Sequence, residues 1–534
     1  MTQNVRSYDL VILGGGAAAF AAITEASRRG LSTAMVNTGL PIGGTCVNVG
    51  CVPSKHLLAV GETAATAREN PFDAVQYSDK PTVDWASALD GTDELVDRFR
   101  QTNYVDVADH YETDIYEGYG RLVDNKERNS SGNQPRADST RTRSGPTIEV
   151  VDGTDAGVRI TGEKALVATG SSPWVPSIEG LDDVDERSSS AHQTQSDDVE
   201  YYTSETILDE RDLPEDIVII GGGYIALEWG QILHRVGVDV TILQRSEHVL
   251  SDMEGLLGRE IQRSFGEQGI EVETGTDFQR VHSPEVNGTA PQDGLSVETV
   301  IDSNTREFAA ESLFVATGVQ PNSTNAGLDE AGIETATDGT VRVNEYFQTT
   351  NPDVYAAGDV IGDPELETVA AKEGNHAVRN AFGNAEQRSA GRSSGPREDN
   401  EGATIDYGAV PEVVFTSPEV ASVGITELDY ADEHGTCSCR TVQMADVPRA
   451  KVVKNTDGLV QVVKHHETDE IVGVHMVSSR AADMIMEATL AVKFGLTVDD
   501  IIDTVHPFPT FSEAFKQACQ AFRRDTSTMS CCIE

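Results

Sequence analysis

The residues best suited to chemistry are cysteines. Cys46 and Cys51 are separated by four residues in the run Gly43-Gly44-Thr45-Cys46-Val47-Asn48-Val49-Gly50-Cys51-Val52-Pro53-Ser54-Lys55. A structural staple has no need of such small neighbours. A redox-active pair does, because something flat must lie against it. A second pair, Cys531-Cys532, lies two residues from the last residue of the sequence. Adjacent thiolates near a chain end make a poor staple but a good clip for a soft cation that prefers few ligands, and Hg(II), content with two thiolates, is the obvious candidate. Cys437 and Cys439 form a Cys-x-Cys pair with only His434 nearby, read here as solvent-facing and without an assigned role. Cys519 falls on an amphipathic stretch and is expected to pack.

Groups of this kind need elements to hold them. An apolar run from Tyr8 to Leu13 leads into Gly14-Gly15-Gly16-Ala17-Ala18-Ala19. A helix is expected to about Arg29, then a strand over residues 31–36. This is a strand, a G-x-G-x-x-A turn and a helix, the pattern that cradles a dinucleotide pyrophosphate at a helix N-terminus. The pattern returns: residues 216–220 as a strand, Gly221-Gly222-Gly223-Tyr224-Ile225-Ala226 as the turn, 227–236 as a helix and 238–243 as a strand. Two such units suggest two dinucleotides. Residues 164–170 and 312–318 both read as buried strands ending in Ala-Thr-Gly, at Thr169-Gly170 and Thr317-Gly318. Residues 354–359 read as a third strand with Asp359 at its end, so the first unit is expected to be interrupted by the second.

The bulk properties narrow the class. A chain of 534 residues exceeds one core, so two to four domains are expected. The formal net charge of −48 is spread along the chain, which suits a solvated surface in a high-salt interior and argues against nucleic acid and anionic membranes as partners. No signal pattern and no membrane-length apolar run occurs, so a cytoplasmic location is expected. Seven cysteines in a reducing compartment are then redox or metal groups rather than a disulfide framework. Hydrophilic stretches near 126–146, 182–200 and 383–402 read as surface loops. The region beyond them has strands near 410–415, 458–463 and 471–476 and helices near 481–494 and 512–523. Met484 and Met486 are both expected to face its core.

With these motifs in place, the chain resembles the flavoprotein disulfide reductases, the family of dihydrolipoamide dehydrogenase and glutathione reductase, over nearly its whole length. The stretch from Gly43 to Lys55 carries the resemblance most specifically. Gly358-Asp359 is similar to the family's flavin-ribityl contact, and Phe415-Thr416-Ser417-Pro418-Glu419-Val420-Ala421-Ser422-Val423-Gly424 to the start of its dimer-interface domain. The resemblance implies an α/β fold with two Rossmann-like dinucleotide-binding domains, for FAD and NADPH, and an α+β C-terminal dimerisation domain. The expected division is 1–212 and 319–404 for the FAD domain with an acidic linker, 213–318 for NADPH, and 405–534 for dimerisation and the Cys-Cys tail.

It also implies roles. Gly14, Gly16 and Ala19 hold the FAD pyrophosphate, with Gly44, Thr45, Thr169, Gly170 and Asp359 completing the site. Cys51 is the flavin-proximal thiolate and Cys46 the exchanging one. Lys55 sits near flavin N5 and pairs with Glu228. Asn37 stands where the family usually has an acid for the adenosine ribose. At the second site, with Gly221, Gly223, Ala226 and Gly318, Gln244 replaces the acid expected for NADH, and Arg245 suits a 2′-phosphate, so NADPH is expected.

The C-terminal segment reads His506-Pro507-Phe508-Pro509-Thr510-Phe511-Ser512-Glu513. Aligned on Pro509-Thr510 and Glu513, the family's His-Pro-Thr-x-x-Glu pattern has Phe508 in the place of its catalytic base, and phenylalanine carries no proton. Together with Cys531-Cys532, this resembles the mercuric-ion-reducing branch, with Tyr201 matching a tyrosine near the metal there or simply packing. The implied reaction passes electrons from NADPH through FAD and Cys46-Cys51 to Hg(II), delivered as a thiol complex by the tail of the other subunit of a homodimer whose active site is shared. A dihydrolipoamide dehydrogenase-like disulfide reductase is the rival enzyme. A non-catalytic soft-metal thiol carrier is the rival of another class. The N-terminal metal-binding domain found in some members of the branch is not expected.

Overall fold

The computed structural model describes residues 5–123, 145–181, 185–186, 200–282, 294–383, 402–436 and 438–524. Most of the three hydrophilic stretches lies outside the described residues, as do Cys437 and the Cys531-Cys532 pair. The chain divides into two compact units.

The first unit comprises Met1–Pro53, Thr92–Trp174 and Val319–Ile405. Its centre is a parallel sheet in the order Val354–Ala356, Lys164–Val167, Leu10–Leu13, Thr33–Asn37, Asp114–Glu117. Leu10–Leu13 is buried throughout, as a parallel strand covered on both faces must be. Helices Ala17–Arg28 and Glu367–Phe382 pack closely on one another: a Cβ at Gly374 would lie 2.0 Å from the Ala18 carbonyl oxygen. Ala18, Ala19, Ala22, Ile23, Ala370 and Val378 share the buried cluster there. A second, mixed sheet joins Val5–Ser7, Arg159–Thr161, Thr147–Val150 and Gly120–Val123. Two expectations are corrected. The second strand begins at Thr33, not residue 31, because the chain first turns at Gly30, where φ is +69°. Asp359 does not end a strand. The strand stops at Ala356, and Gly358, with φ +78°, turns the chain into the short 3₁₀ helix Asp359–Ile361.

The second unit comprises Ser54–Gly91, Val175–Gly318 and Asp406–Glu534. It holds a parallel sheet in the order Asp185–Glu186, Glu200–Tyr202, Ser312–Val315, Asp216–Ile220, Asp239–Leu243, Glu271–Glu273. Helix Tyr224–Val236 starts three residues before its expected position and is closed by Gly237 at φ +113°. Asp277–His282, Leu295–Ile301 and Asn304–Ala310 form an antiparallel sheet. A five-stranded antiparallel sheet runs Glu412–Val414, Glu419–Gly424, Ile471–Ser478, Leu459–Lys464, Cys439–Gln443. Helices Ala481–Phe494 and Glu513–Gln520 pack on it around a core containing Met484 and Cys519. Met486 does not join that core. It is 52% exposed and aligns with Leu490 and Phe494, both exposed, at helical spacing along the outer face.

Candidate active site

Cys46 lies in the short helix Gly44–Asn48, and Cys51 is the first residue of helix Cys51–Arg68. Gly43 at φ +108° and Gly44 at φ +67° make the entry to this loop, a conformation that side-chain-bearing residues resist. Asn48 then locks it. Its Nδ2 donates to the carbonyls of Gly44 (2.8 Å) and Pro41 (2.9 Å), and its Oδ1 accepts from Arg100 Nε at 2.8 Å. Both cysteines are thiols, Cys46 half-buried and Cys51 exposed.

The structure adds two groups that sequence reasoning missed. The Cys46 thiol donates to Glu367 Oε2 at 2.5 Å, and the Tyr104 hydroxyl donates to Glu367 Oε1 at 3.2 Å. Donor atoms of Cys46, Cys51 and Glu367 all lie within 4.8 Å of one another. Glu367 stands in the first turn of its helix, where the dipole favours a carboxylate. Tyr104 is buried in a π-helical turn, Gln101–Val105, and its ring meets Phe20 edge-on at 4.8 Å. Such turns often re-aim a functional side chain. The neighbouring Cys51 sulfur, burial and the Glu367 carboxylate all push the Cys46 thiol up, in that order. Burial and then Glu367 raise the Tyr104 phenol. A cation that takes the Cys46 sulfur displaces the hydrogen it gives to Glu367. An acid at a helix N-terminus already has a sufficient explanation in the dipole, so no signal in the sequence singles out Glu367.

The surroundings fit a dinucleotide. Gly14 has φ +113°, and a Cβ there would lie 2.0 Å from the Ala168 carbonyl oxygen. A Cβ on Gly44 would lie 2.8 Å from Gly16 Cα, so the loop and the glycine turn close on one another only without side chains. Gly16 precedes helix Ala17–Arg28, and Ala19 is buried within it. The Oγ1 of Thr169 is buried with no hydrogen-bond partner among the described residues, the kind of orphan a bound group satisfies. Beside it Gly170 has φ +69°. Asp359 Oδ2 accepts from the Ser171 hydroxyl at 2.7 Å. Asn37 keeps its Nδ2 for the Leu40 carbonyl (3.0 Å), with its amide oxygen packed over Gly15. Thr45 is exposed on the loop.

In the second unit, Lys55 Nζ meets Glu228 Oε2 at 2.5 Å, with Glu228 only 3% exposed. The other carboxylate oxygen accepts from the Phe415 N–H at 2.9 Å, and Lys55 also lies 5.0 Å from the Phe415 ring centroid. This is not a surface ion pair. Around the second glycine turn, Gly221 has φ +126°, Gly318 has φ +111°, and a Cβ at Gly223 would meet nothing. Ala226 is buried. The Gln244 side chain packs on Gly222, and Arg245 is exposed, its guanidinium without an ion pair among the described residues. Tyr201 is buried in the cluster of Ile178, Val218 and Leu313. His506 is held by Glu487, Nε2 to Oε1 at 2.8 Å, and by the Thr504 carbonyl at 2.9 Å. The Glu487 hydrogen bond raises its pKa. Glu513 instead accepts from the Thr510 N–H at 3.2 Å, while Phe508 is 51% exposed. The structure therefore joins Lys55 to Glu228 and Cys46 to Cys51, and it does not pair His506 with Glu513.

Twin glycine turns, a dithiol loop and a C-terminal α+β region match the model of the pyridine nucleotide-disulphide oxidoreductases over residues 8–374 and that family's dimerisation domain over residues 410–519; the chain belongs to this family. Among curated relatives, the mercuric reductase of Staphylococcus aureus is 36% identical over 98% of this chain and 84% of its own length. That of Streptomyces lividans is 35% identical over all of both chains. Among solved structures, the Cu(II) complex of the HOCl-induced flavoprotein disulfide reductase RclA from Escherichia coli superposes with a TM-score of 0.77 at 22% identity, over 97% of this chain and 100% of that one. This last likeness supports the fold. Among the described residues no helix is long and apolar enough to cross a membrane.

Proposed function

We infer that this chain is an NADPH-dependent, FAD-containing oxidoreductase that reduces Hg(II) to Hg(0). NADPH and Hg(II) become NADP⁺, Hg(0) and one proton, so charge and electrons balance. Gly14, Gly16, Ala19, Asn37, Gly44, Thr45, Thr169, Gly170 and Asp359 would hold FAD, and Gly221, Gly223, Ala226, Gln244, Arg245 and Gly318 would hold NADPH. FAD supplies the two-electron relay between nicotinamide and dithiol. Cys46 and Cys51 bind the metal, and each thiol loses its proton as the cation takes its sulfur. Lys55 follows Cys51 by four residues in the same helix, and Glu228 fixes its positive charge.

The geometry that carries this reading is the engagement of His506 by Glu487, with Phe508 in the place of a base. Organic disulfide exchange needs a proton moved at every step. Metal exchange between sulfurs needs no positioned base, because the cation itself displaces the thiol proton. The dimerisation domain makes the enzyme a homodimer, and the exposed ridge of Met486, Leu490 and Phe494 offers it apolar surface. Cys531 and Cys532 capture thiol-complexed Hg(II) and pass it to the dithiol of the other subunit, so the active site is shared. Tyr201 takes part near the metal or packs, as its burial favours. The location is cytoplasmic.

The test is Hg(II)-dependent NADPH oxidation in high salt with excess thiol. Wild-type turnover should rise with Hg(II). The Cys531→Ala/Cys532→Ala double variant should lose it while NADPH still bleaches the flavin. No stimulation in the wild type removes the reading. Normal turnover in the double variant removes the tail's role.

A further inference from the structure

We propose that Glu367 is a third metal ligand, which makes the Cys46-Cys51 pair a mixed sulfur–oxygen site for Zn(II), a cation the enzyme binds but does not reduce. The inference rests on the reading of Cys46 and Cys51 as a metal-exchanging dithiol.

Glu367 Oε2 faces the hydrogen on Cys46 Sγ across 2.5 Å. When a cation replaces that hydrogen, Oε2 loses its donor and is left facing the metal with a lone pair. Zinc takes thiolates at about 2.3 Å and carboxylate oxygen at about 2.1 Å, so its donors stand roughly 3.6 Å apart. The three donor atoms, all within 4.8 Å of one another, need only a small side-chain rotation to reach that spacing.

Tyr104 keeps the carboxylate from swinging away. Its hydroxyl binds Oε1, leaving Oε2 toward the sulfurs, and its own ring is fixed against Phe20. Partners of this kind orient metal ligands and sharpen affinity. With two sulfurs and one carboxylate oxygen, the set lacks one donor of zinc's usual four, leaving a position for water or an incoming thiol.

The choice of metal follows from softness. Hg(II) is satisfied by two thiolates and gains little from a hard oxygen. Zinc is borderline, wants three or four ligands, and has no accessible redox step. Binding exchanges two thiol protons for one zinc ion and moves no electrons. Glu367 therefore sets the metal range of the dithiol: it adds far more affinity for cations that block the site than for the cation that is turned over.

The experiment uses NADPH-reduced holoenzyme titrated with Zn(II) alone. Protection of Cys46 and Cys51 from iodoacetamide is read on their own peptide by mass spectrometry, which separates them from the tail cysteines. Half-protection should require about tenfold more Zn(II), or beyond, in Glu367→Val, the least that loss of a metal-site partner usually costs. Glu367→Asp should recover part of the loss, and protection by Hg(II) should shift far less than protection by Zn(II) in both. Equal Zn(II) protection in wild type and Glu367→Val overturns the proposal, as does absence of protection in wild type. Hg(II)-dependent NADPH oxidation by the same wild-type sample reports separately on the mercury reading, so each can fail alone.

Discussion

Glu228 grips Lys55 from within the core of the second unit: its carboxylate is 3% exposed and meets Nζ at 2.5 Å, while the other oxygen takes the Phe415 N–H at 2.9 Å. The two halves of this pair are not equally replaceable. Lys55→Met leaves a buried carboxylate without its cation and should cost about 3 kcal/mol. Glu228→Gln keeps an acceptor for Phe415 and leaves a partly exposed ammonium to water, so about 1 kcal/mol is expected. Guanidinium unfolding of the two variants checks the order. Equal losses, or a larger loss in Glu228→Gln, contradict a buried carboxylate as the sensitive partner.

Gly44 is where loop and glycine turn meet. Ala at this position faces a φ of +67° and puts Cβ 2.8 Å from Gly16 Cα, which is backbone and cannot step aside. Gly44→Ala should lose bound FAD, read as loss of the flavin absorbance of purified protein, with a stability cost of about 1 kcal/mol or more. A fully yellow, equally stable variant would show that the close approach is not needed.

Much of this was legible before the structure, for a physical reason. The strand Asp216–Ile220 and the helix Ala481–Phe494 fall where apolar runs and glycine punctuation put them. The dithiol declares itself because small residues and two cysteines are costly to keep without a use. What escaped detection is long-range. Glu367 and Tyr104 reach Cys46 through packing, 321 residues away in sequence for the carboxylate. Met486 and Met484 look alike in sequence, and only the helix phase against its sheet sends one in and one out. The end of the strand at Ala356 is set by Gly358, whose left-handed conformation sequence pattern does not announce.

Arg245 is exposed next to Gln244 and bound by no carboxylate among the described residues, so its charge is available for a 2′-phosphate. On the proposed role, Arg245→Ala removes a charge-assisted hydrogen bond worth about 1.5–3 kcal/mol. KM for NADPH should rise by roughly tenfold to a hundredfold, and KM for NADH should barely move. Steady-state kinetics with both nucleotides decide it. An equal rise for both would assign Arg245 to general binding.

His376 is buried in helix Glu367–Phe382, and its Nδ1 has no partner among the described residues. Burial first, then Arg379 and Lys372, depress its pKa to about 4, against a smaller upward pull from Glu25. A histidine depressed on folding takes up its proton more readily when unfolded. Its contribution to stability is full above about 6.5 and drains away as pH falls toward about 4. Thermal unfolding of holoenzyme near about pH 7 and about pH 5 should therefore show a steeper acid loss in wild type than in His376→Gln. Parallel losses would place the acid sensitivity elsewhere.

The central claim is that Cys46 and Cys51 together present Hg(II) for reduction. Its most direct measurement is the release of Hg(0) vapour from NADPH, excess thiol and Hg(II), comparing wild type with Cys51→Ser and Cys46→Ser. Wild type should release elemental mercury in step with NADPH consumed, and either serine variant should release almost none. Stoichiometric NADPH oxidation without mercury vapour in the wild type, or vapour formation undiminished in both variants, would contradict the account.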